Sequence, residues 1–283
     1  MRAEVNGEMI LGVTNGDDAM EASERFVAVN DGVGAWAKKE RGHAPLWSRL
    51  VVHFWARSAE EDGYGEVSGS DEPKPVQYLS EAYAKTQEAL SGEDEGQGWL
   101  GTTTACSALL HSSKEGRPVV YVTQLGDCKV LILRPSDVTE NGTGEDAVLF
   151  STKEQYHYFD CPRQLGTNSP DSPEENAKLD VVSVEEDDLV LAMSDGVTDN
   201  IWEHEIVAFA LDSLKKWQGE QAVKHLAENL VLEARKIAED PFAESPFMEK
   251  AVDEGLAIDG GKLDDISVVA GLVKRRVSGR EEG

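Results

Sequence analysis

Apolar positions recur along the chain at two different periods, and the change of period marks out its elements. His43 to Ala56 carries Leu46, Leu50, Val51 and Phe54, the i, i+4, i+5, i+8 spacing of one helix face, and Pro45 suits the first turn. Val76 to Leu90 repeats that signature and stops before Gly92, and His204 to Trp217 and Gln221 to Ala238 predict two further helices. Between the helix pairs the chain turns to short β-branched runs bounded by turn residues. Thr102 to Leu110, Val119 to Leu125, Lys129 to Arg134, Val148 to Ser151, Val181 to Val184 and Leu189 to Met193 read as antiparallel strands. Glu24 to Asn30 and Ile266 to Val273 add one strand near each end. Val119–Leu125 and Lys129–Arg134 read as a hairpin with Gly126-Asp127-Cys128 at its tip. Ser58 to Pro75 and Asn168 to Glu175 read as polar loops, Asp240 to Gly261 as irregular, and Lys274 to Gly283 as a charged, frayed tail. Strands and helices fall in blocks, and no repeat or linker interrupts them. Residues 1–283 are therefore expected to form a single α+β domain whose antiparallel sheets are covered by helices.

Composition narrows the function classes. Of 283 residues 40% are hydrophobic, enough for a sizeable buried core. Asp plus Glu number 54 against 27 Lys plus Arg, a formal net charge of −27. So acidic a surface repels nucleic-acid phosphates and anionic lipid, which argues against both as partners, and it attracts divalent cations. No apolar run reaches the ~20 residues that cross a bilayer. Met1 to Gly12 has the pattern of neither a signal peptide nor an Arg-rich transit peptide. Cys106, Cys128 and Cys161 make no CxxC pair and sit in or beside apolar runs, so reduced, partly buried thiols fit them best. A monomer in a reducing compartment is expected, cytoplasmic or nuclear, with a mitochondrial address open if a leader has been removed. The scattered histidines form no HxxxH pair, which disfavours zinc, and no GxxxxGK[ST] loop supports ATP use.

The chemical signal is an aspartate placed repeatedly where an apolar strand ends. Asp31 follows Phe26–Val29, Asp127 follows Val119–Leu125, Asp195 follows Leu189–Met193, and Asp264 precedes Ile266–Val269. Gly32, Gly126 and Gly196 stand beside three of them. Carboxylates thrown onto one edge of a sheet repel one another unless cations neutralise them, and hard oxygen donors suit Mg²⁺ or Mn²⁺. Asp-Gly is also a common turn dipeptide, so spacing alone leaves turns and ligands both open.

Taken in order, the motifs resemble those of the type 2C metal-dependent protein phosphatases, the PPM family, and within it a subgroup that includes a mitochondrial member. Gly16-Asp17-Asp18-Ala19 is similar to the acidic pair near the family's start, and Val29-Asn30-Asp31-Gly32-Val33-Gly34-Ala35-Trp36 to the subgroup's ADGVGGW. Gly101-Thr102-Thr103-Thr104-Ala105-Cys106 resembles GSSTAC, and Leu125-Gly126-Asp127-Cys128 resembles GDS. Gln155 to Leu165 resembles QxHxFNxPYQL, Ser194 to Asn200 resembles TDGLFDN, and Leu263 to Val269 resembles PDDITVV. The resemblance implies a four-layer α-β-β-α sandwich of two antiparallel β-sheets with metals in a cleft at one edge. It also implies a protein serine/threonine phosphatase acting on phosphoprotein substrates, in which water held between two ions attacks phosphorus directly. Under it, Asp31 bridges two metals, the Gly32 carbonyl ligates one, and Asp195 and Asp264 bind the other. Asp17 and Asp18 hold metal-bound waters, while Asp127 and Asp199 with Asp195 form a weaker third-metal site. Two Mg²⁺ or Mn²⁺ ions, or three, are the implied cofactors.

The chain departs from the family pattern in two places. Val33 stands where many members have a histidine that serves as general acid, and valine donates no proton. No arginine lies between Arg2 and Asp17, where many members bind phosphate; Arg163, Lys38 or Arg41 are the candidate substitutes. These departures motivate an alternative, a catalytically weak phosphatase-like binding or scaffolding module. His157 reads as a structural histidine, and Trp36, Trp47 and Trp55 as packing groups. Cys128 to Arg134 matches the spacing of a cysteine-phosphatase loop, but the stretch between is an apolar strand and makes no phosphate cradle.

Overall fold

The computed structural model describes residues 4–61, 72–92, 97–138 and 144–275. Ten strands build the two main sheets. They are β1 (Val13–Asn15), β2 (Asp18–Ala22), β3 (Phe26–Asn30), β4 (Ala105–Ser112), β5 (Pro118–Leu125), β6 (Lys129–Leu133), β7 (Val148–Ser151), β8 (Lys178–Ser183), β9 (Leu189–Met193) and β10 (Val268–Leu272). One sheet has six strands in the order β8-β5-β4-β3-β2-β1, the other four in the order β7-β6-β9-β10, and every pairing is antiparallel. Helices α1 (Ala44–Glu61) and α2 (Pro75–Leu90) cover the larger sheet; α3 (Glu203–Lys216) and α4 (Glu220–Ala238) cover the smaller. A fifth helix, α5 (Pro246–Asp253), lies between α4 and β10 in sequence.

Period-two alternation assigns each strand residue to one of three apolar layers. On β4, Cys106 and Ala108 face the opposite sheet while Ala105 and Leu109 face Trp47, Leu50, Trp55 and Leu79 of the helices. On β6, Val130 and Ile132 point into the inter-sheet layer, and Leu131 and Leu133 pack under α3 and α4 with Leu226 and Leu230. On β9, Val190 and Ala192 point inward and Leu189, Leu191 and Met193 outward. These strands are apolar on both faces because both faces are covered, which produces the expected α-β-β-α stack.

Four expectations change. β5 and β6 are not a hairpin: β5 pairs with β4 and β8, and β6 with β7 and β9. Gly126-Asp127-Cys128 instead carries the chain from one sheet to the other. Gly126 has φ 112°, and a Cβ there would stand 2.7 Å from the Thr104 side chain, so the crossing needs glycine. The Gln124 amide pins the crossing by donating to the Gly126 carbonyl at 3.2 Å and the Cys128 carbonyl at 2.9 Å. The first helix runs on to Glu61, past the predicted loop start at Ser58, because Arg57, Ala59 and Glu60 are helix formers and Ala59 is buried. Residues 62–71 of that predicted loop lie outside the described residues, as do residues 276–283 of the predicted tail.

The predicted irregular stretch Asp240–Gly261 contains α5, and the predicted loop Asn168–Glu175 runs into a short helical turn, Pro173–Asn176. Both have the same start: a serine whose hydroxyl accepts a backbone N–H, followed by proline. Ser245 caps at Met248 N and Ser172 at Glu175 N. Among the described residues no helix is long and apolar enough to cross a membrane.

Leu191→Ala should lower unfolding free energy by about 2–5 kcal/mol, because a fully buried leucine between β9 and the helices leaves a cavity. Urea denaturation measures it; a loss under ~1 kcal/mol would mean that the helical cover is loosely packed there.

Candidate metal centre

The aspartates at strand ends converge at one edge of the sandwich. Asp31 directly follows β3. Its carbonyl accepts from Thr104 N at 2.8 Å and Thr103 Oγ1 at 2.9 Å, and its N–H donates to Thr104 Oγ1 at 2.9 Å. The threonines of the Thr102–Thr104 run thus fix the backbone and leave the carboxylate free. Asp195 opens a single helical turn, Asp195–Thr198, at the end of β9. Asp264 lies four residues before β10 and accepts from Asp265 N at 2.9 Å. One oxygen from each of Asp31, Asp195 and Asp264 lies within 4.8 Å of the others. The flanking glycines allow this approach: a Cβ on Gly32 would collide with the Asp17 carbonyl, and one on Gly196 with the Asp265 carbonyl. Asp17 N donates to Asp265 Oδ2 at 2.7 Å, which ties the first acidic pair to the last.

Several carboxylate oxygens of this cluster have no partner among the described residues. Asp18 is fully buried and neither carboxylate oxygen has an aligned donor; Asp127 Oδ1 and Asp195 Oδ1 are likewise buried without a partner. Burial pushes the Asp31 carboxyl well above the usual carboxylate range, and Asp195, Asp18, Asp127 and Asp264 push it further. Burial raises Asp18 as well, with the nearby Ser267 and Ser194 hydroxyls tempering the effect without making aligned bonds. Asp127 rises through burial and then Asp195, and Asp17 through burial and then Asp265. Asp195 is pushed up to about 7 by burial, against the pull of Lys262, and Asp264 is raised by burial against the same lysine.

Unpartnered buried carboxylates are costly, and a protein retains them where something else completes them. The donor set here is all oxygen, with no thiolate or imidazole in the cluster, so the residues fit a hard divalent cation. Two lysines absent from the sequence-based site also reach it. Lys262 Nζ stands 2.6 Å from Asp195 Oδ2, 3.0 Å from Asp199 Oδ2, 3.0 Å from Asp160 Oδ1 and 3.4 Å from Asp264 Oδ2. Lys250, on α5, is 3.0 Å from Asp199 Oδ1 and 2.8 Å from Glu154 Oε2. The sequence carried one signal for Lys262, a lone cation two residues before Asp264.

No family model matches the chain. Over 293 residues it is 30% identical to a probable protein phosphatase 2C 1 of Oryza sativa subsp. japonica, covering 100% of this chain and 75% of that one. The chain belongs to the protein phosphatase 2C family. It is also 29% identical over 282 residues to the human protein phosphatase PTC7 homolog, covering 94% of this chain and 82% of that protein. Among solved structures, the photosystem II phosphatase PBCP superposes with a TM-score of 0.68 at 27% identity, over 92% of each chain. The expected fold and family are both borne out.

Within this phosphatase 2C chain the remaining candidates fall into place. His157 Nε2 pairs with Asp171 Oδ2 at 2.7 Å, and Arg163 Nη1 with Asp171 Oδ1 at 2.9 Å. Asp171 is buried and also accepts from Gln164 N at 3.0 Å, so it ties down both side chains. Lys38 and Arg41 are exposed on the segment that follows Asp31. Cys106 and Cys128 are buried and free, and burial pushes both thiols up, which fits the rejection of Cys128 as a nucleophile. Trp47 and Trp55 are core residues, and Trp36 donates to Thr102 Oγ1 at 2.7 Å.

The raised carboxyls set a pH dependence for the metal-free protein. A carboxyl raised in the folded state contributes stability below its unfolded value, about 4, and that stability is lost as pH rises through the folded value, about 7 for Asp195. The metal-free Tm should therefore fall from pH 5 to pH 8, Asp31→Asn should flatten the fall, and Mn²⁺ should restore Tm more at pH 8 than at pH 5. Calorimetric scans test this; an Asp31→Asn variant with the parent's slope contradicts the repulsion described here.

Proposed function

We propose that this phosphatase 2C chain is a single catalytic domain that hydrolyses phosphoserine and phosphothreonine in proteins, with two divalent ions, Mg²⁺ or Mn²⁺, as resident cofactors. The observation that carries the reading is the meeting of Asp31, Asp195 and Asp264 oxygens within 4.8 Å, beside buried carboxylate oxygens that have no other partner. Bound ions supply an activated water nucleophile and neutralise the oxygens of the phosphoryl group.

The chain's own residues divide the rest of the work. Asp31 and the Gly32 carbonyl would hold one ion, and Asp195 and Asp264, with Asp31, would hold the other. Asp17 and Asp18 would accept from waters on those ions. The Thr104 and Thr103 bonds to the Asp31 backbone keep its carboxylate aimed at the cleft, and the Asp17–Asp265 bond keeps the β2 and β10 ends together. Val33 takes no part in proton transfer; its N–H is held by the Thr102 carbonyl at 3.0 Å. With no arginine between Arg2 and Asp17, Lys38 and Arg41, exposed on the segment that follows Asp31, are the candidate cations for substrate phosphate. Arg163 is committed to Asp171 and is the weaker candidate. The chain acts as a monomer, and its free buried thiols suit a reducing compartment.

The scaffold alternative gains nothing from the geometry, because a module that only binds has no use for costly buried carboxylates. Asp31→Asn and Asp195→Asn should each abolish Mn²⁺-dependent hydrolysis of an aryl phosphate and of a phosphoserine/phosphothreonine peptide panel. Residual activity within about tenfold of the parent, under ~1.4 kcal/mol of barrier, would remove these residues from the reaction. A parent chain that binds Mn²⁺ and turns over no phosphopeptide would favour the scaffold.

A further inference from the structure

Lys262 is built into the acidic centre by its backbone as well as by its charge. Its N–H donates to Asn200 Oδ1 at 2.9 Å and its carbonyl accepts from Asn200 Nδ2 at 3.0 Å, and Asn200 is fully buried directly after Asp199. The side chain runs over the Phe247 ring, with Nζ 5.3 Å from the centroid, and is only 15% exposed. Its ammonium meets Asp195 at Oδ2 and leaves Asp195 Oδ1 buried and free. Asp199 is taken on both sides, at Oδ1 by Lys250 and at Oδ2 by Lys262. The acidic edge is thus divided: among the described residues Asp195 Oδ1 has no partner and Lys262 meets Asp264 only at 3.4 Å, whereas Asp195 Oδ2 and both Asp199 oxygens already hold cations of the chain.

We infer that Lys262 is a resident cation of the active centre, filling the position between Asp195 and Asp199 so that the chain takes up two divalent ions and no third. The inference rests on the metal-dependent reading above and replaces the third-metal role that the family resemblance gave to Asp127 and Asp199. An ammonium at this place offsets the charge of Asp195 and Asp199 at every metal concentration and holds Asp195 by Oδ2, leaving Oδ1 without another partner among the described residues. It acts on the reaction as a positioning residue, through Asp195. Lys250 supports it by holding the far oxygen of Asp199 and bridging to Glu154.

The test counts Mn²⁺ bound to the full chain at saturation, from the loss of the free-ion electron-spin resonance signal and by calorimetry, with circular dichroism confirming the fold of each variant. The parent should bind two ions and Asp199→Asn also two. Lys262→Met should bind three, and Lys262→Arg, which keeps the charge, should return to two. A third ion on the parent, or an ion lost on Asp199→Asn, overturns the proposal. So does a folded Lys262→Met that keeps two ions, whether at unchanged affinity or held more than tenfold tighter; in the latter case the lysine competes for the catalytic pair. A parent that binds two ions and hydrolyses nothing leaves this assignment standing and removes the phosphatase reading instead.

Discussion

Mutual repulsion among carboxylates held at one edge of the sandwich is the constraint around which the rest of the molecule is arranged. Asp18, Asp127 and Asp195 are buried, and Asp31 sits among them, so ionising the set inside a low-dielectric edge is unfavourable without cations. The packing of two sheets and four helices holds that edge together against it. Three apolar layers, each drawn from alternate strand residues, keep β3, β9 and β10 in register, and the carboxylates at their ends have no freedom to spread apart.

That constraint explains why short polar devices surround the cleft. The threonines beside Asp31 bond its backbone and spare its side chain, and glycines at 32 and 196 let neighbouring carbonyls pass within van der Waals reach. The two lysines, from α5 and from the approach to β10, supply positive charge on one flank only. In a chain with twice as many acids as bases, placing scarce cations at this point is a local answer to a local excess of charge. The surplus acids elsewhere, such as Asp180 on β8 or Glu220 and Glu228 along α4, are exposed to solvent and screened.

Much of the fold was legible in the sequence because its signals are local. Helical spacing marked α1 to α4, and β-branched runs marked most of the strands, since each element buries at least one face and must repeat with its own period. The errors came where local signals are ambiguous. A strand, a Gly-Asp-Cys turn and a second strand fit a hairpin as well as a crossing between sheets, and only the partners of β5 and β6 distinguish them. α5 was passed over although Ser245-Pro246 is a legible helix start, because eight residues give too short a run for periodicity to stand out.

The site divides in the same way. Which aspartates stand at strand ends, which glycines accompany them and which family pattern they follow are matters of order along the chain, and the sequence by itself determined them. Whether Asp31, Asp195 and Asp264 meet depends on distances between segments up to 233 positions apart in that order, which strand pairing and layer packing set. The place of Lys262 is the plainest case. A lysine in a loop carries no periodic signal, and only its anchoring to Asn200 across the fold puts its ammonium among four carboxylates. Chain order names the groups that can do chemistry; the tertiary structure decides which of them share a volume small enough for their charges to act on one another.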